Sequence, residues 1–117
     1  MSTKTLEEVI NEASVLAEKA SLDYQQKYCN GEDAYPCGFA WVNIYEHDGK
    51  KIRANSKMGK ALKSMGIEKS DYEKSFRVHN PGGLYVQNVD IKYAGAKAYA
   101  EHLKQFGFTA YASERLD

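Results

Sequence analysis

Three aromatic residues alternate along one apolar segment of this 117-residue chain. Residues 38–45 read Gly-Phe-Ala-Trp-Val-Asn-Ile-Tyr, and the alternation of a β-strand places Phe39, Trp41 and Tyr45 on one face. Aromatic rings on a sheet form a surface on which the bases of single-stranded nucleic acid stack. The ribonucleoprotein motif of RNA-recognition domains is absent. Single-stranded nucleic-acid binding through these three rings is therefore one hypothesis for function.

A run of basic residues follows this segment. Residues 50–63 contain six of them, namely Lys50, Lys51, Arg53, Lys57, Lys60 and Lys63. The 16 basic and 16 acidic residues of the chain balance, but residues 1–49 hold nine acidic and three basic ones, whereas residues 50–78 hold nine basic and three acidic ones. The two halves could neutralise each other across the folded surface, or the basic residues could bind phosphate or an acidic protein.

The hypothesis that we favour is a non-enzymatic protein that binds a macromolecule, either nucleic acid or an acidic protein, through these six basic residues. It depends on their clustering and on the weakness of the catalytic and metal-binding candidates. Cys29 and Cys37 are separated by seven residues, whereas structural zinc sites pair cysteines about two to four residues apart. We therefore expect no metal or cofactor, and two reduced thiols rather than a disulfide.

A small hydrolase or nucleotide-binding enzyme is a further alternative. A nucleophilic Cys37 would need a histidine such as His79 brought beside it by folding, and the turn at residues 80–83 could expose backbone N–H groups to an anion. A buried thiol and a plain hairpin turn explain the same residues, and neither a Walker loop nor a dinucleotide fingerprint is present. Asp90 is a candidate helix cap and His102 lies on the flank of a predicted helix, so neither residue needs a catalytic role to explain its position. We assign no catalytic residue.

The elements that must position these residues begin with a long amphipathic helix. Its apolar residues recur at steps of three and four, and they are Leu6, Val9, Ile10, Ala13, Leu16, Ala17, Ala20, Tyr24 and Tyr28. Thr5 and Glu8 have the spacing of a capping box at the start of the helix, and Asn30-Gly31 is a signal for its end. Ser21 is a candidate position for a kink or a restart of the helix. Such a stripe must be buried, so we expect this helix to cover Phe39, Trp41 and Tyr45. A homodimer through the helix is compatible with each hypothesis.

The remaining segments alternate between strand and helix patterns. We predict strands at 38–45, 75–79, 84–89 and 108–113, a short return strand at 51–54, helices at 57–65 and 91–106, a loop at 67–74, and a polar tail at 114–117. Proline followed by glycine predicts a type II turn at residues 80–83. Small residues around Gly95 predict close packing of the last helix within the chain.

The predicted fold class is α+β. The order of elements matches a ferredoxin-like βαββαβ antiparallel sheet over residues 37–113, with the helix of residues 1–30 added at its N-terminal side. We expect residues 1–117 to form a single domain. No apolar run reaches the ~20 residues of a membrane span, and we recognise no signal peptide, so a cytoplasmic protein is expected.

Several phrases of this sequence occur together in one group of proteins. They are residues 37–42 (CGFAWV), 55–61 (NSKMGKA), 79–83 (HNPGG), 86–90 (VQNVD), 94–96 (AGA) and 107–112 (GFTAYA). The set resembles a family of small uncharacterised proteins of tailed bacteriophages and prophages, and it covers about residues 28–117. The resemblance implies a phage protein made in the bacterial cytoplasm, where thiols stay reduced. It implies no activity and no functional residue.

Overall fold

A computed structural model describes residues 4–33, 36–70 and 75–116 of the chain. The fold is α+β, with a long N-terminal helix and a four-stranded antiparallel sheet. In chain order the elements are α1 (Leu6–Cys29), β1 (Gly38–Tyr45), α2 (Lys57–Ser64), β2 (Glu68–Lys69), β3 (Phe76–His79), α3 (Val89–Gln105) and β4 (Thr109–Leu116). Among these helices, none has the length and apolar character needed to cross a membrane.

The sheet is built around β1. This strand pairs with β3 on one side and with β4 on the other, and β2 extends the sheet beyond β3, so the order is β2-β3-β1-β4. The inner face of β1 carries Ala40, Val42 and Ile44, which are buried with residues of the helices such as Tyr99 and Leu103 of α3. One face of the sheet therefore joins the core with the helices.

α1 begins and ends where the sequence predicts. The Thr5 side chain accepts a hydrogen bond from the backbone N–H of Glu8, the Glu8 side chain accepts from that of Thr5, and Asn30 ends the helix with a φ of 53°. The helix is continuous from Leu6 to Cys29, so no new helix starts at Ser21. Ser21 is buried instead, and its Oγ donates to the carbonyl oxygen of Ile91 in α3 at 2.8 Å.

The prediction that α1 covers the aromatic face of β1 is wrong, because α1 packs against α3. The buried side of the helix consists of Val9, Ile10, Ala13, Ala17 and Ser21, which are mostly small. Small side chains allow the two helix backbones to approach closely. A Cβ atom on Gly95 would lie 3.1 Å from the carbonyl oxygen of Ala17, so the predicted close packing at Gly95 is confirmed.

Two predicted strands are absent among the described residues. Residues 51–54 form no strand because both sides of β1 are already paired, although Ile52 is buried in the core. Residues 84–89 form only an isolated bridge, between Asn88 and Cys37. The strand beside β3 is instead β2, which lies in the predicted loop. Residues 71–74 of the predicted loop lie outside the described part of the chain.

The turn at residues 80–83 is not of type II. The N–H of Gly83 donates to the carbonyl oxygen of Asn80, but the positive φ values belong to Asn80 and Gly83 rather than to Gly82. Gly82 is buried against Ser21 of α1, where a side chain would not fit. Downstream of this turn, Asn88 rather than Asp90 caps α3, and β4 continues to Leu116 through most of the predicted tail.

Candidate functional site

The face of the sheet opposite the helices carries aromatic and basic side chains together. Directly opposite residues of an antiparallel pair point to the same face, so the register identifies the members of this face. Phe39 lies opposite Arg115 of β4, and Tyr45 lies opposite Thr109 of β4. Trp41 lies between His79 of β3 and Ser113 of β4. Asn43 lies between Arg77 of β3 and Tyr111 of β4. We call this surface the open face, defined by Phe39, Trp41, Tyr45, Arg77, His79, Tyr111 and Arg115.

The rings of the open face are accessible to different degrees. Phe39 is 45% exposed and Tyr111 is 57% exposed, whereas Trp41 and Tyr45 are partly buried. The rings of Tyr45 and Tyr111 meet edge to face with 5.9 Å between their centroids. The structure therefore brings the three predicted stacking residues onto one surface that no described helix covers, and it adds a fourth ring from β4.

Cationic groups lie against these rings. The guanidinium of Arg77 is 4.8 Å from the ring centre of Trp41, and that of Arg115 is 5.6 Å from the ring centre of Phe39. Lys92 of α3 approaches the same Phe39 ring at 5.4 Å while its Nζ donates to the carbonyl oxygen of Gly38. Favourable cation–π contacts hold these charges beside the rings.

A shallow cavity of about 310 Å³ opens between these groups, lined by Phe39, Trp41, Arg77, His79 and Arg115. Arg77 is held at the cavity by a hydrogen bond from its Nε to Oδ1 of Asn43, at 3.2 Å. Ser75 also donates to this oxygen. The indole Nε1 of Trp41 is buried and has no hydrogen-bond partner within the described residues. The cavity thus combines flat apolar walls with fixed positive charge.

Burial lowers the pKa of His79 below its ordinary value, and the neighbouring charge of Arg77 lowers it further. Both effects disfavour the imidazolium form. The His79 ring also lies near that of Trp41, with 6.4 Å between the ring centroids. At neutral pH the open face therefore presents His79 as an uncharged ring, and its positive charge comes from the arginines and from Lys92.

The six basic residues of the predicted binding surface lie elsewhere in the fold, on the connection after β1 and on α2. All six are exposed, and they are Lys50, Lys51, Arg53, Lys57, Lys60 and Lys63. Among the described residues, only Lys50 of this set forms an ion pair, with Asp48 at 3.7 Å. We call residues 50–63 the basic segment.

The residues of the enzymatic alternative do not form a cluster in the described part of the chain. Cys37 lies at the bridge to Asn88, while His79 lies on the open face, and no hydrogen bond between described residues joins them. Cys29 and Cys37 are free thiols. His102 lies 3.1 Å from Glu12, whose pKa is lowered by hydrogen bonds from Lys4 and His102. No group of three potential metal ligands occurs within residues 4–33, 36–70 and 75–116.

Tyr111 and Arg115 are members of the open face that sequence reasoning missed. The signal was the alternation of residues 109–115, Thr-Ala-Tyr-Ala-Ser-Glu-Arg, which continues past the predicted end of the last strand. The sequence suggests His79 only as a possible partner of Cys37, and it assigns no role to Arg77. Their place beside Trp41 depends on the pairing of β1 with β3.

Comparisons of this chain with family models, with curated proteins and with solved structures find no match. The geometry of the open face and of the basic segment is therefore what indicates a function.

Proposed function

We propose that this protein binds single-stranded nucleic acid on the open face. The observation that carries the proposal is that α1 packs on α3, so that within residues 4–33, 36–70 and 75–116 no helix covers Phe39, Trp41 and Tyr45 of β1. A monomeric fold normally buries such rings, and an uncovered cluster of them is typical of a binding surface. This proposal takes precedence over the alternative that the rings belong to the core.

The composition of the open face matches the two chemical parts of a nucleotide. Phe39, Trp41, Tyr45 and Tyr111 supply aromatic rings, and a base that stacks on Phe39 or Trp41 would displace a cation that lies over that ring. Base–aromatic stacking contributes about 1–3 kcal/mol per base. The guanidiniums of Arg77 and Arg115 offer planar donors for phosphate oxygens. Stacking is tolerant of base identity, so we expect little sequence preference.

The dimensions are consistent with a short stretch of strand. The six residue steps from Phe39 to Tyr45 span about 20 Å along β1. RNA-recognition domains use a four-stranded sheet of this kind, and aromatic residues on their strands stack two or three bases. The same number is expected here, although the motif sequences of those domains are absent from this chain.

The test is a titration of the protein with an oligothymidylate and with an RNA strand of equal length, each about ten nucleotides. Trp41 is the only tryptophan, so its fluorescence reports stacking directly. We expect quenching at low salt, and we expect Phe39→Ala to weaken binding about tenfold because one stacked ring is lost. Binding of Trp41→Ala is followed by the anisotropy of a labelled oligonucleotide.

The matched control is Tyr85→Ala, which removes an exposed tyrosine that lies outside the sheet. This variant should bind like the unmodified protein. An absence of quenching at low salt, or an equal loss of affinity for Tyr85→Ala and Phe39→Ala, would contradict binding on the open face.

A second candidate function is binding of a nucleic acid or an acidic protein through the basic segment. It is supported by the exposure of all six basic side chains and by the scarcity of ion pairs among them. The triple variant Lys57→Glu, Lys60→Glu and Lys63→Glu distinguishes the two candidates, because these residues lie on α2 and not on the sheet. If this variant abolishes oligonucleotide binding while Trp41→Ala retains it, the basic segment is the binding surface.

We also propose a finer assignment of the fold and of its context. The element order β1-α2-β2-β3-α3-β4 and the strand order β2-β3-β1-β4 support a ferredoxin-like sandwich. A phage protein made in the bacterial cytoplasm remains the context implied by the sequence resemblance. A non-enzymatic role agrees with the separation of Cys37 from His79.

A further inference from the structure

β4 is a long edge strand whose outer side has no strand partner among the described residues. It pairs with β1 over all eight residues in an unbroken register from Thr109 to Leu116, so no bulge bends it. It contains no proline, and its charges are confined to Glu114 and Arg115. Edge strands of this length without protective features readily add another strand.

A groove of about 290 Å³ lies at the same edge, between β4 and α3. It is lined by Tyr93, Lys97, Ala100, Glu101 and Lys104 of α3 and by Tyr111 and Ala112 of β4. Tyr111 belongs to the open face and Ala112 to the inner face, so the groove opens around the outer side of the strand. The lysines make its floor basic, although Glu101 lies 4.0 Å from Lys104.

We propose that β4 pairs antiparallel with β4 of a second copy of this chain, about a two-fold axis at Ser113. The partner is a second copy because the residues of this strand complement one another when the strand faces itself. The pairing does not depend on nucleic-acid binding. It goes beyond the proposed function by assigning a self-association surface.

On the open face, this register places a ring opposite a cation. With Ser113 facing Ser113 of the second copy, Tyr111 lies opposite Arg115 of that copy, and the symmetry repeats the contact. The open face already contains an arginine against a ring, since Arg115 lies over Phe39 within one chain. Cross-strand pairs of this kind stabilise a sheet.

On the inner face, the same register places an acid beside lysines. Glu114 of the second copy lies opposite Ala112, which lines the groove together with Lys97 and Lys104. The two neighbouring registers that keep each face continuous are less complementary. Centring on Glu114 opposes like charges, and centring on Ala112 places Arg115 opposite Thr109 rather than a ring. The charges therefore favour Ser113 as the centre.

Such a pairing would join two four-stranded sheets into one sheet of eight strands. Because opposite residues share a face, the two open faces would lie on the same side. If the open face binds nucleic acid as proposed, the dimer presents a continuous platform about twice as wide as that of one chain. This consequence rests on the proposed function, whereas the dimer itself does not.

The test combines mass measurement with site-directed crosslinking. In a background with Cys29→Ser and Cys37→Ser, Ser113→Cys brings two thiols together at the axis, where opposite Cα atoms lie about 4.5–5.5 Å apart, within disulfide range. The control is Glu68→Cys, an exposed position on β2 at the other edge of the sheet. We expect light scattering to give twice the 13.2 kDa chain mass and Ser113→Cys to crosslink much faster than Glu68→Cys.

A charge exchange tests the register. Glu114→Lys should raise the dimer dissociation constant about tenfold, because two symmetric attractions become repulsions, and adding Lys97→Glu should restore it. Glu68→Lys makes the same charge change at the other edge and should have no effect. A mass of one chain by light scattering at all concentrations would overturn the proposal. So would a dimer in which Ser113→Cys and Glu68→Cys crosslink equally, a result that points instead to the exposed Val15 and Leu22 of α1.

The two proposals fail in different ways. A monomer that quenches on oligonucleotide addition overturns the edge-strand dimer and leaves the open-face proposal intact. A dimer that crosslinks at Ser113→Cys but binds no oligonucleotide overturns only the open-face proposal.

Discussion

At the scale of single residues, the open face is a set of rings with cations fixed beside them. Arg77 illustrates the arrangement, since its guanidinium lies over Trp41 while its Nε donates to Asn43. These contacts restrict this side chain before any ligand arrives. A pre-positioned donor loses less conformational entropy on binding phosphate than a free lysine would.

His79 makes stability depend on pH. Burial, and then the charge of Arg77, hold the pKa of His79 below its ordinary 6.5 in the folded chain. As pH falls through the interval between 6.5 and that lower value, the unfolded chain binds more protons, so the free energy of unfolding decreases. The loss is complete once folded His79 is protonated. Urea unfolding between about pH 7.5 and pH 5 should show this slope, and His79→Gln should reduce it.

An identical slope in the unmodified protein and in His79→Gln would contradict this explanation. Oligonucleotide affinity should move in the opposite direction, because protonated His79 adds a positive charge to the open face. Measuring both quantities on the same samples separates the effect of pH on the fold from its effect on the surface.

At the scale of elements, the contact between α1 and α3 decides which surface stays uncovered. Ser21 is the centre of this contact, since it is buried, donates to Ile91 and packs against both Gly82 and Gly95. The close approach of α1 to α3 and to the 80–83 turn requires glycine at these two positions. The helix that was expected over the aromatic rings is therefore held on the other side of the sheet.

Gly95→Ala should destabilise the protein by about 1–3 kcal/mol, although alanine favours helix formation more than glycine does. The added methyl group would meet the Ser21 hydroxyl and the backbone oxygen of Ala17, which cannot move independently. Urea unfolding provides the measurement. Ser21→Ala alone should cost about 1 kcal/mol through the lost hydrogen bond to Ile91.

The double variant checks the contact itself. With Ser21 shortened to alanine, the methyl group at position 95 meets one atom fewer. The double variant should therefore lose less free energy of unfolding than the sum of the losses in the two single variants. Strict additivity would show that Gly95 does not meet Ser21. A Gly95→Ala variant more stable than the unmodified chain would show that the helices can separate without loss.

At the scale of the whole molecule, zero net charge conceals a separation of charge along the chain. Residues 1–49 contain nine acidic and three basic residues, whereas residues 50–78 contain nine basic and three acidic ones. The local field near Arg77 and Arg115, rather than the total charge, governs contact with phosphate. Binding can therefore depend steeply on salt in a protein of neutral composition.

Oligonucleotide affinity should fall as salt rises, with a logarithmic slope of about −0.7 for each phosphate contacted on a single strand. Arg77→Gln and Arg115→Gln should each reduce the slope by about that amount, whereas Phe39→Ala should lower affinity with the slope unchanged. Anisotropy titrations at several salt concentrations give the slopes. Slopes that are equal in the unmodified protein and in both arginine variants would contradict phosphate contact at these residues.

Local signals in the sequence predicted the helices and the central strand well. Thr5 and Glu8 begin α1, Asn30 ends it, and the alternation of residues 38–45 predicts β1. Each of these signals involves residues close together in the chain. The α+β class and the N-terminal helix followed from them.

Pairing and packing between distant residues were harder to predict. Glu68–Lys69 becomes a strand only because β3 lies beside it, and residues 84–89 form no strand although their composition suits one. Tyr111 and Arg115 join the open face through the register of β4 on β1. No local pattern specifies these partners.

The sequence by itself determined that Phe39, Trp41 and Tyr45 share one side of a strand, because alternation is a property of the backbone. Only the tertiary structure decided whether that side is buried. α1 has an apolar stripe that could have covered either the rings or α3, and its small residues Ala13, Ala17 and Ser21 pack where glycine allows the closest approach. Burial is a competition among all surfaces of the molecule, so its outcome depends on shape as well as on hydrophobicity.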